Sequence, residues 1–517
     1  MAEQLVASSI AAPGFMGVNT QDSSVTLESG FATQALNCVI DKFGRIGARK
    51  GWTKKHDTNS DLSTSNVKAI GELIGNDGTS YTIVAGNNKL FKLSGSTLSV
   101  LTYGGGGTAP TITDSNWQMA ALNNVLFLYQ AGHDPLIFDP AVSATTYRRV
   151  SEKSGYLGTV AQNNCVIAAY GRTWSANNAT AKSTVQFSDL LAGHVLSTGS
   201  AGSIDVSQVW PNGSDEITAL AAHNGFLYIF GRRQILIYAN AKNPLGAGTD
   251  GMYLQDHISG IGCCARDSVV VTGTDVLFLS DSGVRSMART VQEKSAPMRD
   301  ISANVRDDLV RDTAQETLAN IKAVYSDVNA FYLITFPASS TTYCFDTRKA
   351  LPDGSARVTT WSLVPTALFS NRAKELLTGH AGYVGSYLGN LDNESTYRMA
   401  YYSNHFDLGT PSQVKILKKV GFTIVGASGV GLALKYGFDY TNAYRSLPFS
   451  LMSSNPAEYG TAEFGIAEYE SGIVFDNQKI QAGGSGNVLQ IGLEVEINDF
   501  EVSVQKLDVF CKLGRTR

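Results

Sequence analysis

Seven histidines and six cysteines carry the richest side-chain chemistry in this chain of 517 residues. His56, His133, His194, His223, His257, His380 and His405 are dispersed, and no two stand at the spacing of a helical metal motif such as His-Glu-x-x-His. His133 adjoins Asp134, but Pro135 follows in a turn-like run without a third ligand, so His133 reads as a loop residue. Cys38, Cys165, Cys263, Cys264, Cys344 and Cys511 include no Cys-x-x-Cys and read as reduced core residues. Neighbours in a strand point to opposite faces, so Cys263 and Cys264 do not suggest a shared redox or metal site. The Gly104–Gly107 run lacks the Lys-Ser/Thr of a phosphate loop, and no Gly-x-Ser-x-Gly elbow occurs. Asp57–Asp61 opens like a calcium loop, but Leu62 stands where Gly is needed and Lys68 where Glu is needed. A glycosidase carboxylate pair is not locatable from spacing. The expectation is a non-enzymatic protein with no metal and no cofactor.

What remains is charge. Lys42, Arg45, Arg49, Lys50, Lys54 and Lys55 fall in one stretch, with no acidic residue from Lys42 to Lys55. Such a patch has three readings: contact with DNA phosphates, docking on an acidic face of a neighbouring protein, or an ordinary solvated surface. Lys and Arg number 41 against 45 Asp and Glu, and this net charge of −4 argues against a surface that grips duplex DNA throughout. It is compatible with a channel wall that DNA slides past. Charged residues make up 17% of the chain, below the roughly 25% usual in soluble domains. Either partners cover much of the surface, or Ser, Thr and Asn supply its polarity.

The basic stretch is built on a predicted hairpin: Ala35–Ile40 and Arg45–Arg49 flank Asp41-Lys42-Phe43-Gly44. Beyond Val67 the chain repeats a polar two-residue bend followed by an apolar strand. The bends are Asn87-Asn88, Asn123-Asn124, Asn163-Asn164, Asn224-Gly225 and a degenerate Thr274-Asp275. Asn and Gly tolerate the positive φ of tight hairpins. Spacings of about 36 to 60 residues bracket the ~40–50 residues of a four-stranded propeller blade. The predicted fold is all-β: a β-propeller with inserted loops and one short helix, plus a C-terminal antiparallel β-domain. A β-sandwich series is the structural alternative. The helix is placed by Ile301, Val305 and Leu309, with charged Arg306, Asp307, Asp308 and Arg311 between them and Pro297 before them. Predicted boundaries are 1–60 for an N-terminal arm and hairpin, 61–402 for the propeller and 403–517 for the C-terminal β-domain. Within the propeller, 379–402 is read as a last incomplete blade or closing strands.

No run of 18 apolar residues suggests a membrane helix, and MAEQLVASSIAAPGF does not resemble a secretory signal, so folding in a cytoplasm is expected.

The order of several short motifs resembles the tail nozzle proteins of short-tailed bacteriophages, also called tubular tail protein B, and the related packaged-DNA stabilisation hub. Gly17-Val18-Asn19, Gly30-Phe31-Ala32 with Asn37, Gly44, and Arg49-Lys50-Gly51 carry this resemblance at the start, with Lys50 departing from a Pro common in the family. Val185–Asp189, Ile217–Tyr238, Gly262–Val269 and Ser280–Val284 continue it, and Val502–Val509 with Lys512–Arg515 resembles the family's C-terminus. The resemblance implies a virion structural protein of the phage tail, assembled in the host cytoplasm. It would form a homo-oligomeric ring, most often a hexamer, below the portal and adaptor ring, with packaged double-stranded DNA in the lumen and tail fibres or a needle as further partners. It would retain the genome and allow its ejection. The alternative is a carbohydrate-binding propeller adhesin, in which Trp174, Trp210, Tyr401 and Tyr402 would stack on sugar rings.

Overall fold

The computed structural model describes residues 5–246, 250–293, 300–427, 429–441, 443–451 and 473–516. Among them, seven mainly antiparallel groups of three to five strands succeed one another along the chain from Val67 to Ser386, the sixth continuous with a larger sheet. Blade one holds Val67–Ile74, Ser80–Gly86, Lys89–Ser94 and Thr97–Val100, paired in that order. Blades two, three and four begin with Gln118–Leu122, Cys165–Ala169 and Ile217–His223. Blade five has three strands from Val270 to Ser286, and blades six and seven begin with Lys322–Ser326 and Ala367–Ser370. The first strand of each blade packs on the first strand of the next, and that of blade seven returns to that of blade one. A closed ring of inner strands defines a β-propeller, here with seven blades among the described residues. Blade seven is completed by Thr53–Lys54, which pairs with Tyr383–Ser386. The N-terminal stretch thus latches the last blade to the first.

Apolar runs explain why these blades stack. Val125–Tyr129, Gln234–Ala239, Val276–Ser280 and Phe331–Phe336 are buried along their whole length. A strand covered on both faces by neighbouring blades needs apolar side chains in both directions, so alternation disappears.

The bends at Asn87-Asn88, Asn123-Asn124 and Asn224-Gly225 have positive φ at both residues and join adjacent antiparallel strands. Asn163-Asn164 does not. Asn163 lies ahead of the Cys165–Ala169 strand and donates to Ser175 Oγ (2.8 Å), while the hairpin turn of blade three falls on Tyr170-Gly171. The Asn-Asn signal also marks different hairpins: the second-to-third strand turn in blade one, and the first-to-second in blade two.

The remaining strands form a β-sandwich. One sheet pairs Ile473–Gly486, Gln413–Ala427, Val502–Thr516, Ile46–Ala48 and Cys38–Ile40, with Val6–Ala11 also on Val502–Thr516. The facing sheet contains Phe31–Leu36, Tyr397–Ser403, Leu489–Ile497, Gly431–Phe438 and Arg445–Ser450. Phe422, Ile424 and Val509 of the first sheet share a core with Leu434, Ile491 and Tyr401 of the second. Blade six runs directly into this second sheet, because Gly17 and Leu36 pair in parallel with Val358 and Thr360 of its outer strand.

The 1–60 segment is therefore divided: its strands up to Ala48 build the sandwich, and Thr53–Lys54 closes the propeller. Tyr397–Ser403, read with the propeller at the 402/403 boundary, lies in the sandwich, whereas Leu376–His380 and Tyr383–Ser386 form blade seven. Two α-helices occur among the described residues, Met287–Glu293 and Arg306–Gln315. The second begins after a 3₁₀ turn at Ala303–Val305 and buries Leu309; the first, at seven residues, is too short to impose a helical period on the sequence. Pro297 lies outside the described residues.

Candidate functional site

The six basic residues have different fates. Arg49 is 1% exposed. Its guanidinium donates to both Asp392 oxygens (2.8 and 2.6 Å), to Asn37 Oδ1 (2.9 Å) and to the Lys50 carbonyl (2.9 Å), and it lies 4.1 Å from the centroid of the Tyr397 ring. Bidentate pairing in a stacked, dry setting is what a guanidinium does better than an ammonium. Arg49 is consequently a staple between the N-terminal segment and the connection from blade seven to the sandwich, and it is inaccessible to DNA or to a partner protein. Lys55 pairs with Glu375 (2.8 Å) and Arg45 with Asp41 (2.7 Å). Lys42, Lys50 and Lys54 are exposed; Lys54 lies 4.0 Å from Glu394.

Asn37 adopts positive φ and spends its side chain on Ser362, the Arg398 carbonyl and Arg49. Asn19 caps its own turn through Gln21 N (2.9 Å) and Asp22 N (3.1 Å), and reaches Asn304. Gly17 has φ of +83°, and a Cβ there would meet the Val358 carbonyl at 2.4 Å; at Gly51 a Cβ would meet the Leu391 carbonyl at 1.9 Å. These motif residues fasten the N-terminal crossing to the body.

Lys42 and Lys50 overlook a cleft of about 620 Å³ where the sandwich meets blades six and seven. The Asp41–Arg45 turn, Val328 and Arg348 of blade six, Tyr387 and Asn390 after blade seven, and Val425 and Glu501 of the sandwich line it. Arg45 stacks 4.5 Å from the Phe43 ring centroid and Lys42 lies 4.9 Å from it.

A second charged cluster sits on the propeller axis; Arg266 and Asp267 fall within the Gly262–Val269 motif, but no run of charge along the chain marks the cluster. Arg266 donates to Asp267, to Asn164 ahead of blade three and to Asn116 ahead of blade two. Lys322, the first residue of blade six, donates to the same Asn116 and to Asp267 (2.5 Å). Blade two lies across the ring from the adjacent blades five and six, so this cluster spans the axis. Burial by itself would raise the Asp267 carboxyl, but the Arg266 and Lys322 charges prevail and hold it well below the usual carboxylate range. Burial lowers Lys322, with Asp267 opposing the shift. Only about 90 Å³ is left beside it, lined by Lys68, Asn116 and Lys322. The arrangement is a plug.

No group of three or more metal-ligating side chains is assembled among the described residues. All six cysteines are buried free thiols, with Cys263 and Cys264 in different core clusters; burial pushes the Cys263 thiol up to about 11. The aromatic set of the adhesin alternative is not on the surface: Trp174, Trp210, Tyr401 and Tyr402 are all buried, packed inside blades three and four and the sandwich. Their size and apolar area fill cores. No described helix is long and apolar enough to cross a membrane.

No family model and no curated protein matches the chain. Among solved structures, YCF48 from Cyanidioschyzon merolae aligns at 11% identity and a TM-score of 0.36, covering 65% of this chain and 98% of that one. The WD40 β-propeller domain of Doa1 aligns at 10% identity and a TM-score of 0.36, with 65% and 96% covered. PorZ, a surface component of the type-IX secretion system of Porphyromonas gingivalis, aligns at 12% and 0.37 over 63% of this chain; the match spans 37% of PorZ. The ring of its own strands makes the chain a mostly-β protein with a β-propeller of seven blades among the described residues.

Proposed function

We propose that the chain is a virion structural protein of a short-tailed bacteriophage, a tail nozzle or hub subunit that surrounds the DNA channel below the portal and adaptor. The observation that carries this reading is that residues of the resembling motif, Gly17, Asn19, Asn37, Arg49 and Gly51, are the ones that fasten the N-terminal crossing to propeller and sandwich together. A motif that specifies an architecture supports kinship in that architecture. The protein works by assembly rather than by chemistry: copies form a ring, most often of six, that touches the adaptor and any fibre or needle and retains the genome until ejection. Because the Arg266–Asp267–Lys322 plug crosses the propeller axis, DNA in this reading passes between copies and not along that axis. A net charge of −4 suits a wall that does not hold the duplex.

The test is the mass of the full-length chain in solution, followed by electron microscopy of the same sample and of the chain mixed with its adaptor. A closed ring with an opening wide enough for duplex DNA is expected. A chain that stays monomeric in both samples removes the reading.

A further inference from the structure

We propose that the junction cleft is the receptor for residues 452–472 of a second copy of this chain. The cleft is apolar and basic at once. Phe43 is 56% exposed and Val328 61%, both on its rim, and Phe475 is 69% exposed directly across from Val425 of the cleft wall. Phe43 and Phe475 stand at opposite edges of that sandwich sheet, so exposed apolar side chains flank the cleft on both sides, as a protein contact requires. Lys42 and Lys50 form no ion pair among the described residues, whereas Arg45 is paired with Asp41 and Arg348 with Asp346. The cleft therefore presents two unpaired ammonium groups against one unpaired carboxylate, Glu501, beside apolar surface.

Residues 452–472 carry the complement. They lie outside the described residues, but their sequence repeats Ala457-Glu458-Tyr459, Ala462-Glu463-Phe464 and Ala467-Glu468-Tyr469 at five-residue intervals, followed by Glu470, with no Lys or Arg in the stretch. Each triplet sets a carboxylate beside an aromatic ring, as the cleft sets Lys42 beside Phe43. The Coulombic match selects the partner, and buried aromatic anchors supply affinity.

The stretch also starts and ends at one place. Leu451 N–H donates to the Val430 carbonyl (3.0 Å), and Ile473 pairs with Ala427. Ten residues of any chain span at most about 35 Å, which sets the distance within which a neighbouring cleft has to lie. Donor and receptor are different surfaces of the same chain, so each copy gives one and takes one. Such heterologous contacts close into rings when the rotation allows. The inference deepens the ring reading and rests on it for the presence of a neighbour.

The experiment mixes two full-length variants, Phe43→Cys and Phe464→Cys, under mild oxidation. The six native thiols are buried and do not compete. Expected is a disulfide-linked heterodimer, at least tenfold more abundant than either homodimer. Adding Lys42→Glu and Lys50→Glu to the first variant should abolish it, and adding Glu458→Lys, Glu463→Lys and Glu468→Lys to the second should then restore it. Absence of the heterodimer at high protein concentration overturns the proposal. So does a rapid, concentration-independent internal disulfide in the double variant, which would place the segment in its own cleft. A heterodimer together with microscopy showing no ring leaves this contact standing and removes the nozzle reading.

Discussion

The axial plug and the junction cleft hold the same kinds of charge in opposite conditions. At the axis, Arg266 and Lys322 share Asp267 and Asn116 across the ring, with little space beside them. In the cleft, Lys42 and Lys50 face solvent beside exposed Phe43 and Val328. Desolvated charge has to be matched within the fold, since leaving one partner unpaired costs several kcal/mol. Exposed, unmatched charge costs little to keep and is free to recognise something else. The same contrast divides the basic segment, where Arg49 belongs to the first condition and Lys50, its neighbour, to the second.

The sharpest way to break this comparison is to treat Arg49 and Lys50 alike. Arg49→Met leaves Asp392 and Asn37 without their partner and should lower stability to urea by about 3 kcal/mol or more, whereas Lys50→Met should change it by less than about 0.5 kcal/mol. Equal effects would show that Arg49 is no staple. For the same reason, charge reversal aimed at binding belongs on Lys42 and Lys50, since reversing Arg49 would disrupt the fold itself.

Lys322→Met is next in size. Asp267 keeps Arg266, so the loss should be about 2 kcal/mol, less than at Arg49, and should be read as an earlier urea transition of the propeller. No loss would mean that the plug is dispensable to the ring of blades.

The latch on blade seven responds to pH. His380 stacks on Trp52 with ring centroids 3.7 Å apart, and burial lowers its pKa from 6.5 to about 4. The folded state thus keeps His380 neutral while the unfolded chain takes up a proton below pH 6.5. Stability from this group is complete above that pH and declines as pH falls toward 4, by about 2 kcal/mol at pH 5. His380→Gln should flatten the decline between pH 6.5 and 4; an unchanged slope would assign it to other groups.

The smallest effect is predicted for the surface. Lys42→Ala, Lys50→Ala and Lys54→Ala together should shift stability by no more than about 0.5 kcal/mol while removing contact with the acidic segment. A larger loss would move these lysines to the side of Arg49.

Local signals carried far here. Three Asn-containing bends were legible because positive φ at two successive residues is a local demand that few side chains meet. The same signal misled at Asn163-Asn164, where the side chain makes a bond to Ser175 and the turn falls on Tyr170-Gly171. The hairpin at Asp41–Gly44 was legible from its turn residues, since Gly44 alone takes positive φ and the Asp41 carboxylate accepts from Phe43 N and Arg45 N, and its register pairs Cys38 with Ala48 and Ile40 with Ile46. Burial of Trp174, Trp210, Tyr401 and Tyr402 was not legible, because an aromatic residue has the same composition in a core as on a binding surface.

By itself the sequence determined the all-β character, the hairpins and the clustering of six basic residues, since turn chemistry, apolar strand runs and charge runs are properties of neighbours along the chain. Only the tertiary structure decided that blade seven closes on Thr53–Lys54, that the N-terminal strands complete the sandwich, that Arg49 is sealed while Lys50 is free, and that Arg266 and Lys322 meet at Asn116 over separations of 150 and 206 residues. Those outcomes depend on which distant groups share a desolvated space, and that is set by the closure of the strand ring and not by any local pattern.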